Sequence, residues 1–576
     1  MITNEVIERL PPHLRQYIKP QVYENYSAID QAVWRYVMRK NIAFHSIYAH
    51  PSYLYGLKKT GISKDAIPNM YGMNRILKEI GWAAVAVDGF IPPRAFMEFQ
   101  AYNVLVIASE IRQPQNIEYT PAPDIIHESA GHAPLLADSE YSAFLRRFGE
   151  IGSKAISSPH NKKMYSAIRQ LSIIKEQPSA SKQDISNAEE AVLYLQKQKV
   201  EASEMDHLRN LHWWSVEYGL IGTPKNFHLY GAGLLSSIGE SKWCMSKQVK
   251  KHSFSLEVIH QDFDITKPQP QLYVTPNFAH LSKVLEKMAN TMGLRKGGKE
   301  SVEKLINSEE VGTIELSTGL QISGIVKRCI SDPNENEKVA YIQTSGPTAL
   351  SFRNQELVGH GTAYHANGFG SPLGKLKESN LAIENMTPSD LETFGLVEGN
   401  TAFLHFESGV KVKGKVITGI RSIFGKIMMI SFVDCLVTFQ DEVLFEPQRG
   451  KYDMVIGESI RSAYAGPADI QYFPFEKQEL SITPVIKHPL TNHLYDEVIS
   501  AFNRSEIAIN ELDKLGNKII LLEDQHWLLF IEFHNLCVLH KNKKWITNCQ
   551  KWFRTLEKRN PILAKQIQDQ FQPNKK

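Results

Sequence analysis

The sequence predicts a multidomain protein: a mainly α first half, then a β-rich stretch, then a helical C-terminal tail. Three observations carry this. The chain has 576 residues, more than one hydrophobic core usually serves. Apolar residues keep a helical spacing up to about residue 292 and alternate with period two beyond about 302. The helical spacing returns near 485. Hydrophobic residues make up 42% and charged residues 22%, a globular composition that excludes wholesale disorder. Lys+Arg number 65 against 62 Asp+Glu. A net charge of +3 gives no basic footprint for nucleic acid, and none is expected as a partner.

Taken in order, residues 1–292 hold segments such as IDQAVWRYVMRK (29–40) and NRILKEIGWAAVAV (74–87) with apolar residues at helical spacing. Prolines at 92, 93, 114, 121, 123 and 134 break the middle into short elements. PSASKQDISNA (178–188) is small and polar, and predicts a loop inside an insertion spanning about 157–204. GLRKGGKES (293–301) marks a domain boundary. Within 302–480, TIELSTGLQISGIV (313–326) and AFLHFESGVKVKGKVI (402–417) both alternate around a turn, as β-hairpins do. Gly319 and Gly324 match Gly409 and Gly414 at an offset of 90 residues, and each hairpin is followed by a further strand-like run. This makes the region a candidate duplication. Residues 485–576 predict three amphipathic helices.

The N-terminus, MITNEVIERLPPHLRQYIKP, lacks the basic and apolar regions of a signal peptide. Apolar runs fall far short of the roughly 18 residues of a membrane span. Five cysteines (244, 329, 435, 537 and 549) include no CxxC, which argues against a disulfide framework or a cysteine zinc site. The expectation is a soluble, cytoplasmic protein without a membrane partner.

The chemistry concentrates in PAPDIIHESAGHAPLLAD (121–138). His127, Glu128 and His132 form H-E-x-x-x-H, one residue longer than the zinc-protease spacing. On a continuous α-helix, histidines five apart point about 140° from each other. They converge only if the helix ends between them, and Gly131 and Pro134 suit such an ending. Glu217, in NLHWWSVEYGL (210–220), supplies a carboxylate on a largely apolar face. Such a group is costly to bury unless paired or bound to metal. Two histidines and one carboxylate make the facial triad of non-haem Fe(II) oxygenases, which leaves coordination positions open. HGTAYH (360–365) repeats the histidine spacing and reads as a turn.

PDIIHESAGHAPLLAD, WWSVEYGL and YGAGLLSSIGE (230–240), in this order, resemble the pterin-dependent aromatic amino acid hydroxylases. Weaker matches occur at YLYGLKKTGISKDAIP (53–68) and VDGFIPPRAF (87–96). The resemblance covers roughly residues 25–292. It implies a catalytic domain of aromatic amino acid hydroxylase type using Fe(II), tetrahydrobiopterin and O₂. By motif, the iron ligands are His127, His132 and Glu217. Arg112 and Thr120 match residues that hold the amino acid's carboxylate, and Trp213 matches the aromatic packed on its ring. Gly233 and Ser236 fall in the loop lining the substrate site. Phe96 matches the aromatic stacked on the pterin, and Glu128 a carboxylate near pterin and iron-bound water. Val274, in QLYVTPNF (271–278), aligns with a position that is Val in phenylalanine hydroxylases and Asp in tyrosine hydroxylases. Trp213 and Val274 together favour L-phenylalanine as substrate and L-tyrosine as product, with tryptophan or tyrosine hydroxylation as alternatives. The family often has Tyr where His212 stands. The regulatory domain that precedes the animal enzymes has no room ahead of this region, so activation by that route is not expected.

Two other classes stay open. One is a zinc hydrolase with the same three ligands and Glu128 as general base. The other is a catalytically weak scaffold in which the β-rich and helical parts carry interactions.

Overall fold

The computed structural model describes residues 4–571 apart from 88–90, 115–116, 119–122, 177–180, 199, 266, 423–424, 476–491, 503 and 505. No described helix is long and apolar enough to cross a membrane.

The first half is built around the helix Ala28–Tyr48, which starts with a reciprocal Ser27–Asp30 capping box. It also carries more sheet than its helical spacing suggests. Strands β1 (Ala83–Val87) and β2 (Val104–Ala108) pair in parallel and are buried on both faces. The helix Pro93–Ala101 crosses between them, and this double burial is why their sequences run apolar without alternation. Strands β3 (Leu220–Thr223), β4 (Asn226–Leu229), β5 (Lys250–Ser253) and β6 (Gln271–Thr275) form a second sheet in the order β4-β3-β6-β5.

One local expectation is corrected. Residues 182–188 are helix, not loop: Lys182–Gln196 is nucleated by a second capping box, Ser181 with Asp184, in the polar stretch itself. With Pro159–Glu176 it forms a helical pair. The boundary segment is also helical, as Gly293–Lys296 and Gly298–Ser308. They meet at Gly297, whose φ of +58° and 2.3 Å approach of an added Cβ to the Ile460 carbonyl leave no room for a side chain. Val302 and Leu305 of the second helix enter the core of the β-rich region.

That region contains two sheets. One runs β10 (Gln355–Glu356), β9 (Val339–Phe352), β8 (Leu320–Ser331), β7 (Val311–Leu316), β17 (Ile460–Ala465), with β11 (Gly370–Pro372) also on β9. The other runs β12 (Thr401–His405), β13 (Val410–Arg421), β14 (Ile427–Phe439), β15 (Glu442–Phe445), with β16 (Tyr452–Val455) also on β14. The β8–β9 ladder shifts register at 323/325, 326/328 and 330/331, and the β13–β14 ladder at 413/415, 416/418 and 420/421. The chain crosses over between the sheets: Leu376, after β11, bridges to Phe406, whereas Ile460, after β16, pairs with Leu316.

The C-terminal helices Asn492–Phe502, Trp527–Leu539 and Lys543–Arg559 share one core with the first half. Glu532, 1% exposed, receives Arg35 Nε at 2.8 Å. Lys40 Nζ donates to the Gln566 carbonyl at 2.7 Å. A buried ion pair joining segments so distant in sequence destabilises strongly if one partner is lost.

Candidate metal centre

His127 and His132 lie on one π-helical turn, His127–His132, in which the Ala133 N–H reaches the Glu128 carbonyl. This corrects the expectation of a helix ending at Gly131. The i→i+5 bond widens the turn so that residues five apart share a face, and Pro134 sits in a 3₁₀ turn that follows directly. Gly131 has a different role. A Cβ there would lie 2.6 Å from the Ala232 carbonyl oxygen, so glycine lets the YGAGLLSS segment press against the turn. Glu217 also closes a π-turn, Trp213–Glu217, sealed by the Tyr218 N–H to the Trp213 carbonyl at 2.9 Å. Two π-turns in one site fit their frequent placement at functional positions.

The three donors converge. His132 Nε2 is 3.2 Å from His127 Nε2. His127 Nε2 is 3.3 Å from Glu217 Oε2, and His132 Nε2 is 3.3 Å from Glu217 Oε1. Donors held at about 2.0–2.2 Å from one cation stand roughly this far apart, so the set fits a single metal ion. Ser236 Oγ, 3.1 Å from His127 Nδ1, orients that ring from behind. Burial raises the Glu217 carboxyl, but His132 and His127 outweigh it and hold it well below the usual range. Glu128 is buried 3.9 Å from His132 Nε2, and burial pushes it up to about 8. His212 is buried with Nδ1 3.7 Å from Glu217 Oε1, and burial lowers it to about 4.

The triad opens onto a cavity of about 300 Å³ with mostly apolar walls. Phe96, Arg112, Glu128, Trp213, Gly233 and Ser236 line it together with His127 and Glu217. Arg112 is clamped by Asp124 through Nε to Oδ2 and Nη2 to Oδ1, both 2.8 Å, and donates Nη1 to the Ser236 carbonyl at 3.3 Å. Asp124 also accepts the His127 N–H at 3.0 Å. One carboxylate thus ties the guanidinium to the π-turn of His127 and His132. Three of the guanidinium's five N–H donors are engaged this way. Trp213 stacks on Phe263, centroids 4.1 Å apart and 9° from parallel.

One expected site residue, Val274, does not join this group. Thr120 lies outside the described residues. Val274 is buried in β6 between Leu220 of β3 and Ser253 of β5, and is not among the cavity's lining residues. The sheet on both sides of it turns that position into core. Conversely, Asp124, Tyr218 and Phe263 contribute and were not singled out. The P-D-x-x-H spacing could have flagged Asp124, but nothing local marks Phe263.

Residues 16–171 and 190–299 match the family described as biopterin-dependent aromatic amino acid hydroxylase. The break between them falls in the inserted helical pair. Phenylalanine-4-hydroxylase of Chromobacterium violaceum is 27% identical over 265 residues, covering 46% of this chain and 74% of its own length. The Pseudomonas aeruginosa enzyme is 26% identical over 277 residues, covering 47% of this chain and 88% of its own. Rat phenylalanine-4-hydroxylase is 27% identical over 274 residues, 46% of this chain and 50% of its own. A solved C. violaceum structure described with iron(III) and 7,8-dihydrobiopterin is 25% identical, with TM-score 0.38 over 50% of this chain and 91% of that one. The sequence relatives and the family match indicate an oxidoreductase of aromatic amino acid hydroxylase type. The matched family region ends at residue 299.

Proposed function

We propose that the first half is an Fe(II)- and tetrahydrobiopterin-dependent monooxygenase that converts L-phenylalanine to L-tyrosine with O₂. The convergence of two imidazole nitrogens and one carboxylate on the wall of an apolar cavity carries this reading. It is supported by the family match and by relatives named phenylalanine-4-hydroxylase. His127, His132 and Glu217 would hold the iron. When bound, iron and reduced pterin would supply the activation of O₂, the source of the oxygen atom that enters the ring. The remaining donors of Arg112 take the substrate carboxylate, because a guanidinium clamped on one edge presents the other in a fixed plane. Trp213, held by Phe263, bounds the ring, and Phe96 bounds the pterin. The apolar walls exclude water from the reacting atoms. Glu128, on the cavity wall beside His127, is the carboxylate near the pterin.

The test uses anaerobically purified protein loaded with Fe(II) and supplied with tetrahydrobiopterin, O₂ and L-phenylalanine. L-Tyrosine, detected by mass spectrometry and absent from His127→Ala, is the expected result. Iron bound without tyrosine from phenylalanine would remove the substrate assignment and bring tryptophan and tyrosine forward. Inactivity on all three would favour the scaffold reading.

The β-rich region we read as an internal duplication. Its support is the shared offset of 90 residues: 324 with 414, 331 with 421, and the Leu316 and Phe406 bridge positions. An experimental structure in which 311–372 and 401–455 fail to superpose strand for strand would remove it.

A further inference from the structure

The second histidine pair, His360 and His365, lies in the segment between β10 and β11. The His365 N–H returns to the Gly361 carbonyl at 3.2 Å, closing a tight turn. The turn sets His360 Nδ1 3.3 Å from His365 Nε2, with the rings 24° from parallel. Asp453, on β16 of the other sheet, brings Oδ2 to 3.8 Å from His360 Nδ1. All three side chains are buried, at 6%, 8% and 4% exposure. One donor atom from each lies within 4.8 Å of the others.

The orientation of Asp453 is set from behind. Ser431 Oγ donates to its Oδ1 at 2.5 Å, and Lys451 Nζ reaches the same oxygen at 3.2 Å. Oδ2 is left on the histidine side. Two facing imidazole nitrogens have one proton to share between them, and 3.8 Å is too long for a hydrogen bond from His360 to Oδ2. Tyr364 also hydrogen-bonds the Asp453 carboxylate, and the 3.8 Å gap between Oδ2 and His360 is closed by no direct bond. A divalent cation between the three atoms satisfies all of them. Two imidazoles and a carboxylate form a donor set of the zinc class, with three protein ligands and a fourth position open. The Lys451 ammonium opposes a cation, but it sits across Oδ1 and is partly exposed.

We propose that His360, His365 and Asp453 form a second metal site, of the zinc class, that ties the two sheets of the β-rich region together. The site shares no residue with the first centre. The experiment uses the full chain carrying His127→Ala and Glu217→Ala, which disable the first centre. Metal is stripped with chelator and Zn²⁺ is added back. The expected stoichiometry is about one zinc per chain, with a rise in melting temperature. Adding His365→Asn should weaken zinc binding at least ~10-fold and abolish that rise. Co²⁺ in place of Zn²⁺ should give visible absorption bands of a four-coordinate nitrogen–oxygen site in the parent double variant, a readout that needs no further mutation. Below about a tenth of an equivalent of bound zinc, the proposal is overturned. Zinc held equally well by the His365→Asn chain, or a cobalt spectrum of the six-coordinate aqua type, overturns it too.

Discussion

The two histidine pairs have the same spacing and reach convergence by different backbones. His127 and His132 meet because a π-turn places residues five apart on one face. His360 and His365 meet because a turn closed on Gly361 folds one ring over the other. Each pair recruits its carboxylate from a distant element, Glu217 or Asp453. Their surroundings separate them. The first faces an apolar cavity with Arg112 and Trp213 on its walls. The second is enclosed between two sheets, with a lysine across its carboxylate. An identical spacing in sequence therefore specifies neither the local structure nor the task. A centre that opens onto a cavity can admit a substrate, whereas a buried one joins the elements around it.

The comparison can be broken by mutation. His132→Ala or Glu217→Ala should remove iron and cut tyrosine formation by more than ~100-fold, beyond what loss of an outer-shell partner usually costs. Asp453→Asn should leave turnover within ~2-fold, and equal losses at the two centres would erase the distinction. Asp124→Ala leaves Arg112 buried without its partner. Urea unfolding should show about 3–5 kcal/mol of lost stability, together with a raised KM for the amino acid. Gly131→Ala forces a Cβ onto the Ala232 carbonyl. It should destabilise by about 1–3 kcal/mol and loosen iron binding, whereas a helix end at Gly131 would tolerate it.

The smallest effect concerns the junction of the halves. Lys154 Nζ lies 4.4 Å from the Tyr464 ring centroid, and burial followed by the Arg94 charge lowers its pKa from 10.5 to about 8. Between those values the unfolded chain holds more protons, so this group makes stability rise with pH across that window. Lys154→Met should flatten that rise in melting curves. An unchanged slope would mean that the lysine is solvated.

Much of the centre was legible because its ligands lie in three short motifs in a fixed order. The geometry joining them was not. An α-helical wheel separates His127 from His132, and only the i→i+5 bond, invisible in composition, unites them. The β-rich region showed itself through period-two alternation and paired glycines, but the crossed connections at Leu376 and Ile460 have no sequence signature. β1 and β2 carry no alternation because both faces are buried. The Asp453 partnership with the second histidine pair depends on how the two sheets pack together, which no local pattern encodes. Val274 aligned with a pocket position, yet flanking strands on both sides place it in core.

The most direct measurement of the central claim is turnover of the iron-loaded protein with tetrahydrobiopterin and L-phenylalanine under heavy-isotope oxygen gas. The account predicts tyrosine carrying one heavy oxygen atom in the intact chain, and no tyrosine from Glu217→Ala. Unlabelled product, or labelled product at equal rate from Glu217→Ala, would contradict it.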